Sequence, residues 1–387
     1  MPYDASLNFI FWNPTKVVFG ENSALDVAIE VEGLKCKRVL MVTDRDLYKN
    51  TDLPKRIEKA LGHLSAGIFS DVEADSGLHI VNQGAKLGKE LGVDCIVSVG
   101  GGSAIDTAKG IAIVLREGGR LEDYAGFQVL KRPQTPHVAI PTTAGTGSEV
   151  THIAVIKDHE AGRKLFFGDY NIFPNVAILD PRMTEGLPPG LTAATGMDAM
   201  CHAIEAMSSL QKEPIADGVA LHAIRLIKEF LPRAVENGRD MIARGQMLIA
   251  ANLAGTSTIT GWGIVHALAH TVGAKFKVQH GLANSILLPA CLRFNADACG
   301  DVYSNILPAM GLNIERVSPD EAGSVLAENL AVFTKKLGLP QRLRDVGVPE
   351  GSLEECSEFA LSDGTILYNP KLVTDSADVL KIYQQAW

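Results

Sequence analysis

Cysteine is scarce in this sequence and never paired at short range. Cys36, Cys95, Cys201, Cys291, Cys299 and Cys356 include no CxxC, which excludes a disulfide framework or a thiolate zinc knuckle and reads as six reduced, packed thiols. Positive charge is in deficit: 36 Lys and Arg against 45 Asp and Glu leave a net charge of −9. A basic face for nucleic acid or an anionic membrane is therefore not expected. No apolar run reaches the roughly 20 residues of a membrane span, and Asp4 stands where a secretory leader would be basic. These absences together predict a cytoplasmic protein with neither nucleic acid nor membrane as partner. Two familiar motifs are also missing. The HALAH segment at 266–270 lacks the Glu of HExxH, and the Gly-rich turn at 100–103 lacks the GxGxxG spacing.

What remains is ample apolar material, 46% of residues, in a chain of 387 that is too long for one ordinary core. Two domains are expected, with the boundary near Asp180-Pro181. Between Arg38 and Leu179, β-branched runs alternate with amphipathic segments. The candidate strands are Arg38–Thr43, Gly67–Ser70, Asp94–Val99, His137–Ile140 and Val176–Leu179. The candidate helices are Leu53–Leu64, Leu78–Leu91 and Ala104–Leu115. This alternation predicts a mostly parallel sheet covered on both faces, with ligands beyond the carboxyl ends of its strands. Arg116 to Pro136, polar and broken by glycines and prolines, reads as a surface excursion.

Three loops at those strand ends bear on ligand binding. Gly100-Gly101-Gly102-Ser103 follows a strand and opens a helix, where backbone N–H groups and the helix dipole suit a phosphate. Pro141 to Glu149 (PTTAGTGSE) follows the next strand, with hydroxyls and glycines that suit a diphosphate or ribose. Asp44 ends the RVLMVT strand; a carboxylate there accepts from ribose hydroxyls and repels a 2′-phosphate, favouring NAD over NADP. Each also has a plainer reading as a structural turn, a polar loop or a helix cap.

The second half is organised around Gly196 to Ser285, which holds five of the ten histidines. Asp198 and His202 are four residues apart, as are His266 and His270, so each pair lies on one helical face; His280 follows, just before Gly281, where the chain can turn. A lone histidine on an apolar helix is ordinarily a hydrogen-bonded core residue; His222, which has no such partners, is read as an ordinary helix histidine. Several imidazoles buried beside one carboxylate without an ion would instead leave polar groups unsatisfied at about 1–3 kcal/mol each, so this set points to a divalent transition metal.

Four stretches, GGGSAIDTAK (100–109), PTTAGTGSEVT (141–151), AATGMDAMCHAIEA (193–206) and HALAHTVGAKFKVQHGLANSILLP (266–289), resemble the iron-containing, group III alcohol dehydrogenases, the family of lactaldehyde reductase and 1,3-propanediol dehydrogenase. The similarity runs from Asn13 to Trp387. It implies an α/β dinucleotide-binding domain over residues 1–181 and an all-helical, metal- and substrate-binding domain over 182–387, a dehydroquinate synthase-like architecture with the active site in the cleft between. It further implies Asp198, His202, His266 and His280 as metal ligands and His270 as an additional, non-ligating pocket histidine. Gly101, Gly102 and Ser103 match the diphosphate turn. Thr142, Thr143, Thr146, Val155 and Lys164 match cofactor contacts, and Asp44 matches the acidic residue associated with NAD. The implied activity is metal-dependent, NAD(H)-linked interconversion of a small primary alcohol or diol and its aldehyde. The metal would be Fe²⁺, with Zn²⁺, Ni²⁺ or Co²⁺ as alternatives, and the protein a homodimer or larger homo-oligomer. Ile153, Ser257 and Trp262 depart from the lactaldehyde reductase pattern near the substrate pocket. Rival readings are a glycerol dehydrogenase-like or maleylacetate reductase-like enzyme and a non-catalytic metal or nucleotide sensor.

Overall fold

The computed structural model describes residues 7–387; Asp4, read above against a leader, lies outside the described residues. The chain forms two compact units, Trp12–Leu187 and, together with residues 7–11, Pro188–Trp387.

The first unit is built on strands β1 (Lys16–Phe19), β2 (Val39–Asp44), β3 (Ser65–Val72), β4 (Cys95–Gly100), β5 (Gly126–Phe127), β6 (His137–Pro141), β7 (Ile153–Asp158), β8 (Arg163–Gly168) and β9 (Val176–Leu179). Six of them form one sheet in the order β1-β9-β6-β4-β2-β3, all parallel. The strands at its centre are nearly continuous runs of Val, Ile, Leu and Met because both faces are covered. Leu40, Val42 and Ile96 face one side, with Val81 of helix α4 (Leu78–Leu91) and Ile111 of α5 (Gly102–Glu117). Met41, Val97 and Val99 face the other, with Val27 and Val31 of α1 (Val27–Gly33) and Ile57 and Leu61 of α3 (Leu53–Leu61). The short α2 (Arg45–Asn50) follows β2 directly.

A second sheet, β5-β8-β7, falls outside the expected strands. Its β7–β8 hairpin is antiparallel, with Ile153 opposite Gly168 and Asp158 opposite Arg163. The charged tip between the strands interrupts any apolar alternation there. The excursion at 116–136 contains a helical turn at Leu121–Tyr124, anchored by the buried Leu121, and the two residues of β5.

The second unit is helical: α6 (Pro189–Ser208), α7 (Pro214–Glu236), α8 (Met241–Ser257), α9 (Ile264–Phe276), α10 (His280–Phe294), α11 (Ala296–Ile306), α12 (Pro319–Lys336), α13 (Leu353–Ala360) and α14 (Ser376–Ala386). Helix α6 is buried at every position from Thr192 to Ser208. A helix apolar on all sides is enclosed by its neighbours, and α7, α8 and α10 pack around this one. Among the described residues no single helix is long and apolar enough to cross a membrane, and all six cysteines are unpaired and buried.

Candidate metal centre and nucleotide-binding turn

Three helices of the second unit deliver one cluster. Asp198 and His202, a turn apart on α6, put Oδ1 and Nε2 3.8 Å from each other. From α9, His266 Nε2 reaches the same carboxylate oxygen at 3.9 Å, and from the start of α10 His280 Nε2 reaches it at 3.4 Å. The candidate ligand atoms of Asp198, His202 and His266 lie within 4.8 Å of one another, and all three residues are buried.

Gly281 allows this approach. The expectation of a chain turn there is corrected: Gly281 is the second residue of α10 and lies against α6. A Cβ at this position would lie 2.2 Å from the carbonyl oxygen of Ala194 and 3.1 Å from Asp198 Cβ.

The electrostatics are those of a cation site. Burial alone would raise the Asp198 carboxyl, but His202, His280 and His266 outweigh it and hold the group below its ordinary value. Burial, then the neighbouring His202, depresses His266 well below the usual imidazole range, so its ring is neutral. Its Nδ1 is hydrogen-bonded to Glu205 Oε2, which leaves Nε2 facing Asp198. Burial pushes the Glu205 carboxyl up to about 7, against the pull of backbone N–H groups of Val265 and Gly263. His202 Nδ1 is buried with no hydrogen-bond partner. The Asn284 amide donates to Asp198 Oδ1 at 2.7 Å and lies 3.4 and 3.2 Å from Nε2 of His266 and His280. Three imidazole Nε2 atoms converging on one carboxylate oxygen are nitrogen and oxygen donors that suit a borderline divalent ion, so this donor set fits a metal.

His270 is held differently. One turn after His266, its Nδ1 lies 2.8 Å from Asp363 Oδ2, while Asp363 also accepts from the backbone N and Oγ1 of Thr365. Burial opposes ionisation of Asp363, but His270 and Thr365 hold its carboxyl well below the usual range. The His270 ring stacks on His280 at 5.2 Å and meets His266 edge-on at 5.9 Å. The Trp262 indole stacks on His266 at 5.3 Å.

In the first unit, the Gly-rich turn and the Ser/Thr loop meet. Thr142 N–H donates to Gly100 O at 3.0 Å. A Cβ on Gly101 would lie 3.3 Å from Thr143 Oγ1, and one on Gly102 2.8 Å from Thr146 Cγ2. Gly101 is the N-cap of α5 and supplies no side-chain cap, so the helix begins without a capping side-chain oxygen and suits an anion. Ser103 is in the first turn. Asp44, at the end of β2, accepts from Gly101 N–H; burial raises its carboxyl to about 6 despite that bond. Val155 on β7 donates its N–H to Asp106 Oδ2 at 3.0 Å, and Lys164 on β8 pairs with Asp75 at 3.0 Å. Beneath the turn, Lys109 Nζ is buried and donates to Ser148 Oγ, Thr151 Oγ1 and Ile153 O at 3.0, 3.0 and 2.7 Å. Asp106 accepts from Ser148 Oγ.

With this geometry established, likeness to known proteins decides the family. The model for iron-containing alcohol dehydrogenase matches residues 14–181, and that for the Fe-containing alcohol dehydrogenase family, C-terminal, matches residues 192–387. The chain belongs to the iron-containing alcohol dehydrogenase family. This dehydrogenase is 37% identical to an NAD-dependent methanol dehydrogenase of Bacillus methanolicus over 96% of its own length and 98% of the relative's. It is 37% identical to a 1,3-propanediol dehydrogenase of Citrobacter freundii over 98% and 99%. The crystal structure of a 1,3-propanediol oxidoreductase superposes with a TM-score of 0.94 at 36% identity, covering 98% of this chain and 100% of that one. The dehydrogenase is accordingly an oxidoreductase, with the parallel-sheet and helical halves its sequence predicts.

The sequence reasoning missed three residues of the site. Glu205 and Asn284 stand in the spacing of the ligands they touch, seven residues after Asp198 and four after His280. Asp363, 93 positions from His270, gives no such local signal.

Proposed function

We propose that this dehydrogenase interconverts small primary alcohols and their aldehydes with NAD(H), using one divalent ion, Fe²⁺ in the cell, held by Asp198, His202, His266 and His280. The observation that carries this reading is the convergence of three imidazole Nε2 atoms on one oxygen of Asp198, at 3.8, 3.9 and 3.4 Å. A divalent ion there supplies Lewis acidity toward an alcohol or carbonyl oxygen. The turn of Gly101, Gly102 and Ser103 receives the cofactor diphosphate, flanked by Thr142, Thr143 and Thr146, with Val155 and Lys164 as further contacts. Asp44 accepts from ribose hydroxyls, which favours NAD over NADP. His270, its Nδ1 tied to Asp363, relays the proton between the alcohol, the cofactor ribose hydroxyls and solvent. Trp262, Ile153 and Ser257 bear on substrate choice. The assembly is a homodimer or larger, with β1, the outer strand of its sheet and half-exposed at Val17 and Phe19, as the pairing edge. The location is cytoplasmic, in keeping with the unpaired cysteines.

The test is metal-stripped full-length protein reconstituted anaerobically with Fe²⁺, Zn²⁺, Ni²⁺ or Co²⁺. It is assayed with a panel of short alcohols and aldehydes against both nicotinamides. Activity restored by metal, greater with NAD(H), is the expected result; full turnover by metal-free protein refutes the reading. His266→Ala and His280→Ala should lose metal and activity together. His270→Ala should keep its metal and lose about 10²–10⁴-fold in rate.

A further inference from the structure

Helix α9, which carries His266, starts without a cap of its own: Gly263 is its N-cap residue and has no side chain to offer. The cap comes from α6. Glu205 Oε1 accepts from Val265 N–H at 2.7 Å and lies against Gly263, whose Cβ, if present, would be 2.9 Å from it. Asn369 Oδ1 takes Ile264 N–H at 3.4 Å. One oxygen of Glu205 is thus committed to backbone donors, which cannot change role. Only Oε2 is left for His266 Nδ1.

From this arrangement we infer that Glu205 is a positioning residue that sets the tautomer of His266. In its ionised form, held by the backbone donors on Oε1, Glu205 has only acceptor oxygens to turn to Nδ1 and accepts its hydrogen bond, so Nδ1 carries the hydrogen and Nε2 presents a lone pair toward Asp198. Carboxylates behind ligating histidines commonly act in this way. The particular feature here is that the backbone of α9 fixes which atom faces the ring. Asp198, His202 and Glu205 share one face of α6, so a single helix supplies two ligands and the group that orients a third.

The inference rests on the proposed metal site, and amide substitution tests it sharply. In Glu205→Gln the side-chain oxygen must face Val265 N–H, because the amide NH₂ would set donor against donor. The NH₂ therefore faces His266 Nδ1, which must accept, and the hydrogen moves to Nε2, where it blocks a metal. Helix capping survives; ligation does not. A role confined to capping gives the opposite order, because Gln keeps the length and the acceptor whereas Asp falls short of both partners.

The probe is Co²⁺, titrated into metal-stripped full-length protein and followed by its visible absorption. Affinity should fall in the order Glu205, Glu205→Asp, Glu205→Gln, with Gln weakened by about 10–100-fold or more while the apoprotein unfolds within a few degrees of the unaltered chain. Affinity in Gln equal to Glu, or higher in Gln than in Asp, overturns the inference. If the unaltered protein takes up no Co²⁺, the metal reading itself has failed, a separate outcome. Should the variants not fold, ¹⁵N-histidine labelling of the unaltered apoprotein still decides: His266 with its proton on Nδ1 supports the assignment, and with its proton on Nε2 refutes it.

Discussion

Gly281→Ala adds one methyl group at the closest approach of α10 to α6. The new Cβ would lie 2.2 Å from Ala194 O and 2.8 Å from Ala194 C, where a comfortable carbon–oxygen contact is about 3.3 Å. The neighbour is backbone inside a buried helix, so no rotamer change relieves the clash and the two helices must part by about 1 Å. Alanine is intrinsically the better helix former by about 1 kcal/mol, but overpacking of this kind costs about 1–3 kcal/mol, and a backbone clash belongs at the upper end. The net loss of about 2 kcal/mol corresponds to roughly 4–8 °C in a unit of this size. The same displacement carries His280 away from Asp198, whereas metal sites tolerate only about 0.2 Å in bond length. Calorimetry of the apoprotein and metal analysis after dialysis check the two effects. A variant with unchanged melting and full metal content would refute the claim that a missing side chain sets the helix spacing.

The buried Lys109, whose Nζ lies 3.8 Å from Asp106 Oδ1, should behave as half of a charged pair. Lys109→Met is expected to cost on the order of 3–5 kcal/mol by leaving Asp106 uncompensated. Adding Asp106→Asn should restore part of this in urea unfolding, and strict additivity would count against the coupling. Asp44 predicts a pH signature. Because burial raises its carboxyl to about 6, the folded state holds the proton more tightly than the unfolded chain. Stability from this group is then fully present below about pH 4 and is lost as pH rises through 6. The stability of Asp44→Asn relative to the unaltered protein should therefore grow by about 2–3 kcal/mol between pH 4 and pH 8; a constant difference would show that the group does not titrate as described.

The sheet and the cluster were legible because local pattern encodes them. Strands buried on both faces are apolar runs, and ligands four residues apart on a helix announce a shared face. Asp198 and His202 could be paired on spacing alone. Choosing between His266 and His270 could not, because both sit on the same face of α9; in the fold it is His266 Nε2 that lies 3.9 Å from Asp198 Oδ1, while His270 is held by Asp363, remote in sequence. The β7–β8 hairpin escaped notice because its charged tip masks the alternation. Gly281 was misjudged for a related reason: in sequence a glycine after His280 suggests a bend, and only the position of Ala194 reveals that what matters is closeness.

Enclosure of α6 on every side makes the cluster a rigid template. Its carboxylate and first imidazole are fixed to a rod that cannot shift without disturbing the helices around it, so their spacing is set before any ion arrives and little ordering entropy is lost on loading. A template of this kind discriminates by shape, since an ion that prefers another geometry pays for the mismatch when it binds.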